Sequence, residues 1–240
     1  MNLTIDVGNN QTKVGVFDGN EMIFFQQYAP LTLEGVKTLF EKHSIKNAII
    51  ADVAFYDEDI DLLLKQKSNF IKLSHTTKMP VALKYLTPET LGKDRIATAA
   101  AAVDMFPENN SLVIDAGTSI TYDIITAENE FLGGSISPGI SMRFKALHNF
   151  TARLPLMKKQ PIDYITGKNT SESILSGVIN GTTGEMAYII DAYQKKYQNL
   201  QVLLTGGDAA FFETRLNYKI FVVPNLVLRG LNKILNYNVA

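Results

Sequence analysis

The stretch LTIDVGNNQTKVGVFDGN, residues 3–20, decides how this chain is read. An apolar run enters Asp6, passes Gly8 and a polar loop, and gives way to a second apolar run. That pattern predicts a β-hairpin with its loop over Gly8–Thr12. A second stretch, LVIDAGTSITYDIITAEN at residues 112–129, has the same shape. Laid over residues 3–22 without a gap, residues 112–131 give identities at Leu3/Leu112, Ile5/Ile114, Asp6/Asp115, Gly8/Gly117, Thr12/Thr121, Asn20/Asn129 and Glu21/Glu130. The matched Asp-x-Gly at the same strand end points to a duplicated domain. The expected halves are 1–108 and 109–240, facing each other across a cleft.

Two such hairpins would place two carboxylates and two sets of loop amides around one ligand. Glycine lets backbone approach a ligand closely, and loop N–H groups hold phosphate oxygens. Asn9, Asn10, Gln11, Thr12, Thr118 and Ser119 add donors. A carboxylate alone repels phosphate, so Asp6 calls for a cation between them, and Mg²⁺ bridges acids to phosphates in this way. For one copy alone the simpler reading is a turn. Two matched copies, followed by Thr205-Gly206-Gly207-Asp208 after a third buried strand, favour nucleotide binding. Neither a Walker A nor a GxGxxG motif is present.

The segments between and after the hairpins supply the rest of an α/β chain. A third strand is expected over 22–28, a helix in TLEGVKTLFEKHSI with Val36, Leu39 and Phe40 on one face, a strand in NAIIADVA, and a helix in YDEDIDLLLKQKS. The run PETLGKDRIATAAAAVDMF begins as loop and becomes a helix ending before Pro107, its alanines suited to a close neighbour. FLGGSISPGISMRFKALHNFTARLP reads as a Gly/Pro-punctuated loop leading into a helix. TGKNTSESILSGVINGTTGEMAYIIDAYQKKY is one long helix or two broken near Gly181. QVLLTGGDAAFF is a buried strand before a helix, and FVVPNLVLRGLNKILNY a strand, a loop and a helix.

Composition narrows the class. Hydrophobic residues are 46% and charged residues 20%, ordinary for a globular protein, and the net charge of −1 gives no reason to expect nucleic acid or an anionic membrane as partner. The absence of cysteine excludes disulfides, thiolate chemistry and Cys-based zinc sites. No signal-peptide pattern and no apolar run near the ~20 residues of a membrane helix is evident. The expectation is a cytoplasmic protein with no membrane partner.

The order of Asp-x-Gly hairpin, Asp-x-Gly hairpin and Gly-Gly strand end resembles the superfamily of acetate kinase, sugar kinases, heat-shock ATPases and actin. More closely, the chain resembles type III pantothenate kinases. The resemblance is carried by DVGNNQTKVGVF, YLTPETLGKDRIATAAAA, DAGTSITYD, GGSISPGISMRFKALHNFTARLP, GKNTSESILSGVINGTTGEM, TGGDA and PNLVLRGL, spanning residues 6 to about 231. One departure is Asn10, where that family usually has Thr or Ser; asparagine still donates to phosphate.

The resemblance implies two duplicated actin-like (ribonuclease H-like) domains, each a mixed sheet flanked by helices, with a cleft between them. It implies ATP-dependent phosphorylation of pantothenate to 4'-phosphopantothenate, the first step of coenzyme A biosynthesis. Asp6, Val7, Gly8, Asn9, Asn10, Gln11, Thr12 and Lys13 would form the first ATP phosphate loop, with Asp6 near Mg²⁺ and Thr118 contacting ATP from the second. Asp115 would hold a monovalent cation, potassium or ammonium. Tyr85, Gly92, Lys93, Asp94 and Arg95 would bind pantothenate, with Asp94 as proton acceptor. Thr170 would reach substrate from the partner subunit, which implies a homodimer with a shared active site.

The chemistry of these residue types agrees with those roles. Arg95 suits a carboxylate or phosphate because its planar fork binds both oxygens. Asp94 lies near a helix start, where the dipole favours its ionised form. Phosphoryl transfer needs positioning and charge neutralisation more than a strong base. His43, His75 and His148 form no metal-ligand spacing and read as surface or locally satisfied. Lys158-Lys159 reads as a solvated pair, the acids of YDEDIDLLLK as an ordinary first turn, and Phe211 and Phe212 as core. Arg143 and Arg153 stay open between a basic helix face and attraction of ATP, with Lys145 on the face. Competing functions are a kinase of the same superfamily acting on another small alcohol or acid, a non-catalytic nucleotide-binding regulator, and an actin-like filament protein. Retention of Asp6, Asp94 and Asp115 counts against the regulator, and the short chain against the filament protein.

Overall fold

The computed structural model describes residues 1–239, and the chain divides into two units. Unit 1 comprises Met1–Glu108, Ile125–Leu132 and the residues from Asn225 onward; unit 2 comprises Asn109–Ile124 and Gly133–Pro224. The chain first passes from unit 1 to unit 2 between Glu108 and Asn109. The C-terminal segment is counted with unit 1 instead of unit 2.

Unit 1 is built on β1 (Asn2–Val7), β2 (Thr12–Asp18) and β3 (Glu21–Tyr28), an antiparallel meander, extended by β4 (Asn47–Asp52) and β5 (Asn69–Lys72), which run parallel to β1. The strand order is β3-β2-β1-β4-β5. β1 is buried along its whole length, as expected of a central strand covered on both faces. Two helices pack together on this sheet, α1 (Leu33–Lys42) and α2 (Asp59–Lys67). α1 begins where the Thr32 side chain accepts from the Gly35 N–H at 3.1 Å, and it buries Val36 and Leu39, the positions its periodicity marked.

Two further helices of unit 1 are α3 (Lys93–Met105) and, from the end of the chain, α7 (Leu226–Val239). Ala97 and Ala99–Ala102 of α3 are all buried. A Cβ on Gly230 of α7 would collide with the Ala97 carbonyl, so glycine and alanine together set how closely these helices approach. α7 also touches β1, β2 and β4. It is fastened by an asparagine chain: Asn69 donates to Asn47, Asn47 to Asn2, and Asn2 to Asn232 and Asn236, all at 2.7–2.9 Å.

Unit 2 repeats the plan. β7 (Ser111–Ala116), β8 (Ser119–Ile125) and β9 (Glu130–Pro138) are joined by β10 (Gln201–Thr205) and β11 (Ile220–Val222), with β10 parallel to β7 and β11 parallel to β10. The order β9-β8-β7-β10-β11 repeats that of the first sheet, strand for strand. β6 (Ala82–Leu83) pairs with the start of β9, both counted with unit 1.

The offset of 109 holds for β1 and β7, Asn2–Val7 against Ser111–Ala116, and again for the starts of β3 and β9 at Glu21 and Glu130, but not for β2 and β8. Gly8–Gln11 separate β1 from β2, whereas only Gly117 and Thr118 separate β7 from β8. Thr12 and Thr121 are therefore not structural equivalents, although the ungapped overlay matched them.

The stretch from Glu130 to Pro138 is a strand, where Gly and Pro had suggested a loop. Gly133 takes φ 105°, and a Cβ on Gly134 would strike the Tyr122 carbonyl of β8. These glycines bring the strand against its neighbour. After α4 (Ile140–Asn149), α5 (Thr170–Lys196) is a single unbroken helix of 27 residues. Gly177, Gly181 and Gly184 all lie on its exposed side, while Ile174, Leu175, Val178, Ile179, Met186 and Ile190 are buried. That apolar face offsets the ~1 kcal/mol each mid-helix glycine costs. α6 (Ala209–Glu213) completes the unit. Among the described residues no helix is long and apolar enough to cross a membrane.

Candidate active site

The first hairpin loop hangs from the buried end of β1. Asp6 is 8% exposed and pairs in register with Lys13, and Val7 pairs with Thr12. Gly8 donates its N–H to the Gln11 carbonyl at 3.1 Å, closing a tight loop that leaves Asn9, Asn10 and Gln11 exposed. The loop borders a cavity of about 520 Å³ that also meets Tyr28, Phe55 and Asp57. Every residue expected of the first phosphate loop is therefore gathered at one strand end.

The second group in unit 1 surrounds the start of α3. A 3₁₀ turn (Pro88–Thr90) leads into Gly92, the N-cap of α3. Asp94 sits in the first helical turn, and its Oδ1 accepts from the Arg95 N–H at 2.8 Å. Arg95 is buried to 6% exposure, and its guanidinium lies against a pair of touching rings. Its Cζ lies 5.7 Å from the Tyr85 centroid and 5.6 Å from that of Phe131, and the rings are 6.1 Å apart. Tyr85, Asp94 and Arg95 are thus brought together as expected. Phe131 was not foreseen, because a lone Phe in an apolar run carries no mark separating it from core. Lys93 points elsewhere, since its ammonium is in an ion pair with Asp52 at the end of β4.

The remaining expected residues belong to unit 2. Asp115, next to last in β7, is in register with Thr205, the last residue of β10, and Gly206 follows with φ 94°. A Cβ on Gly206 would lie 2.5 Å from Asp115 Oδ1, and one on Gly117 3.6 Å from it. Gly206 therefore keeps a Cβ off this carboxylate and off the Ala116 carbonyl, while a Cβ on Gly117 would make only an ordinary contact. Thr118 is exposed, and its carbonyl accepts from the Gly139 N–H at 3.1 Å. Thr170 is exposed at the first position of α5, whose cap is made by Asn169 and Glu172: Glu172 N–H donates to Asn169 Oδ1 at 2.9 Å, and Asn169 Nδ2 to Glu172 Oε1 at 2.8 Å.

Several residues read as bystanders have specific partners. Lys159 is not a solvated cation but an ion-pair partner of Asp208, and it lies over the Phe211 ring. Of the two phenylalanines, Phe212 is fully buried and Phe211 partly. Asp61, one of the first-turn acids of α2, takes Lys72 at 3.0 Å and the Tyr56 hydroxyl at 2.5 Å. Burial, then Asp61, push the Tyr56 phenol well above its usual range, so it stays a donor. Arg143 pairs with Glu185 at 2.5 Å and donates to the Pro138 carbonyl at 2.8 Å. The Tyr122 hydroxyl also donates to Glu185, at 2.8 Å. Partial burial alone would raise the Glu185 pKa, but hydrogen bonds from Ser137, Arg143 and Tyr122 outweigh it and hold the carboxyl below its ordinary value. The histidine readings agree with the contacts seen: His43 packs on Phe24, and His148 Nδ1 lies 2.8 Å from the Leu154 carbonyl.

The sequence model of the type III pantothenate kinases matches residues 2–192. The chain belongs to that family. A type III pantothenate kinase of Cytophaga hutchinsonii is 44% identical over all of both chains. Among solved structures, a Campylobacter jejuni protein named for the Baf transcriptional-activator family is 24% identical, with a TM-score of 0.63 over 98% of each chain. A Listeria monocytogenes protein assigned as an N-acetylmannosamine kinase is 12% identical, with a TM-score of 0.55 over 100% of this chain and 99% of that one. These structural likenesses bear on the fold alone, and they agree with this type III pantothenate kinase family member being an actin-like α/β protein with two mixed sheets flanked by helices.

Proposed function

We propose that this chain transfers the γ-phosphoryl group of ATP to the primary alcohol of pantothenate, giving ADP and 4'-phosphopantothenate, the first step of coenzyme A biosynthesis. Family membership supports the reaction. The observation that carries the site is the buried Arg95, lying against the Tyr85 and Phe131 rings one residue from Asp94, at a helix start in the unit that also bears the first phosphate loop.

In this reading Arg95 takes the pantothenate carboxylate, and its aromatic neighbours keep water away so that the charge interaction is strong. Asp94 accepts a hydrogen bond from the substrate hydroxyl and aims that oxygen at the γ-phosphorus. As the new O–P bond forms and the bond to the ADP oxygen breaks, the hydroxyl proton passes to the Asp94 carboxylate. The amides of Asn9–Gln11 and the side chains of Asn10, Thr12 and Lys13 would hold the phosphates in line. Asp6 would face the Mg²⁺ carried by the nucleotide, and that ion would supply charge neutralisation on the transferred group.

No cluster of three or more His, Asp or Glu able to hold a metal occurs among the described residues. A cation at Asp6 or Asp115 therefore draws its remaining oxygens from phosphate, water or backbone carbonyls. A monovalent cation at Asp115, potassium or ammonium, would be held in this way. Thr170 would contact the substrate bound by a second copy, making the enzyme a homodimer. We place it in the cytoplasm, in line with its lack of cysteine.

The test is a coupled ADP-release assay with ATP, Mg²⁺ and pantothenate in sodium, potassium or ammonium salts. Pantothenate-dependent turnover is expected, with potassium or ammonium required. Folded protein inactive in all three salts would overturn the substrate assignment, leaving a kinase for another small alcohol or acid.

A further inference from the structure

Asp52 is the last residue of β4 and lies in parallel register with Val7, where β1 ends and the first phosphate loop begins. Lys93 is the first residue of α3, between the N-cap Gly92 and Asp94. The ion pair between Lys93 Nζ and Asp52 Oδ1 therefore ties the helix start bearing Asp94 and Arg95 to the strand beside that loop. The other oxygen of Asp52 faces Lys72 at 3.8 Å. Lys72 ends β5, is anchored to Asp61 of α2 at 3.0 Å and lies 5.0 Å from the Tyr56 ring. The Lys93 and Asp52 side chains are only 27% and 20% exposed, so solvent screens the pair less than a surface contact.

We propose that Asp52 is a positioning residue for phosphoryl transfer: through Lys93 it fixes the start of α3, and so sets Asp94 and Arg95 relative to the first phosphate loop. Lys93 then acts as a strut and not as a ligand of pantothenate or phosphate, because its charge is already matched by Asp52. The argument rests on the kinase reading above. Lys72 keeps Asp52 in place from the far side, so the carboxylate is held between two cations instead of swinging toward bound phosphate, which it would repel.

The experiment compares wild type, Asp52→Asn, Lys93→Met, the double variant, and the charge-swapped pair Asp52→Lys with Lys93→Asp. Because small displacements of reacting groups cost up to about 100-fold in rate, Asp52→Asn is expected to lower kcat by roughly 10-fold or more while leaving the KM for ATP within about twofold. The double variant is expected to lose no more than the worse single variant, because both remove one contact. The swapped pair is expected to recover part of the lost kcat. Thermal midpoints show that each variant is folded. Amide hydrogen exchange supplies a readout that needs no substrate: the amides of residues 96–98 are expected to exchange faster in Asp52→Asn, with those of α1 unchanged.

Wild-type kcat in folded Asp52→Asn, additive losses in the double variant, or unchanged exchange at the start of α3 would each overturn the proposal. Wild-type protein without pantothenate-dependent turnover would instead refute the kinase reading, and the exchange measurement would still decide whether Asp52 fixes the helix start.

Discussion

A Cβ placed on Gly92 would lie 2.5 Å from Oδ1 of Asp94. The glycine is at φ −54°, a conformation open to any residue, so what it provides is room for the carboxylate. Gly92→Ala is expected to fold normally, within about 0.5 kcal/mol of wild type, because the atom it displaces is the end of a movable side chain. Its kcat should nevertheless fall on the order of 100-fold, approaching that of Asp94→Asn, with pantothenate still bound. Steady-state kinetics beside a thermal melt check this; a near-normal kcat would show that Asp94 need not stay folded over Gly92.

In the proposed site Phe131 would support substrate binding through Arg95, which lies 5.6 Å from its ring centroid. Phe131→Leu keeps an apolar filler in a fully buried site but removes one of the two rings on the guanidinium. A cation–π contact contributes about 0.5–2 kcal/mol, so the KM for pantothenate should rise roughly 2- to 30-fold. The KM for ATP should not move, and parallel titrations of the two substrates separate these outcomes.

Gly206 guards the space beside Asp115. Gly206→Ala places a Cβ against Asp115 Oδ1 and forces alanine to φ 94°, costing about 1–3 kcal/mol in stability. Activation by potassium or ammonium should be lost in this variant and in Asp115→Ala. Rate against salt concentration, with ionic strength held constant by a large organic cation, is the measurement; full activation in both variants would remove Asp115 from the cation site.

Glu185 makes stability depend on acid. Its carboxyl is held below the ordinary value of 4.5, so it stabilises the fold when ionised. That contribution is fully present above the unfolded value and is lost as pH falls through the lower folded value. Melts of wild type and Glu185→Gln should differ most above pH 5 and converge in more acidic buffer. A gap that widened on acidification would reverse the assigned direction.

Thr170 gives a test of assembly. Inactive Thr170 and Asp94 variants mixed under conditions of subunit exchange should regain activity in heterodimers that hold one intact site. Verified exchange without recovery would mean that each copy works alone.

The frame of the molecule was legible because it is written in local pattern. Asp6-Val7-Gly8 and Asp115-Ala116-Gly117 mark strand ends by residue type, and the two sheets that follow have one strand order. The strand at Glu130–Pro138 was hidden because Gly133 is there for its positive φ and Gly134 to fit a neighbour that a linear reading does not see. Nothing local in α7 says that it packs on α3, since that choice depends on Gly230 meeting Ala97 and on Asn232 and Asn236 meeting Asn2. The same limit applies at the site. Gly92-Lys93-Asp94-Arg95 stands out as a run, but Phe131 and Asp52 matter only through what they touch. Lys159, apparently an ordinary surface charge, finds Asp208 only after the chain has folded.

The placement of α7 governs the order in which this protein matures on the ribosome. β1, β2 and β4 emerge early, yet the helix that covers them follows the whole of unit 2 in the chain. Leu226, Leu228, Leu231, Ile234 and Leu235 are all buried, so the nascent first sheet waits with a matching apolar face uncovered. A chain whose translation stops within unit 2 would keep that face exposed to chaperones and proteases. The first-made half of the protein is thereby completed by one of the last-made helices.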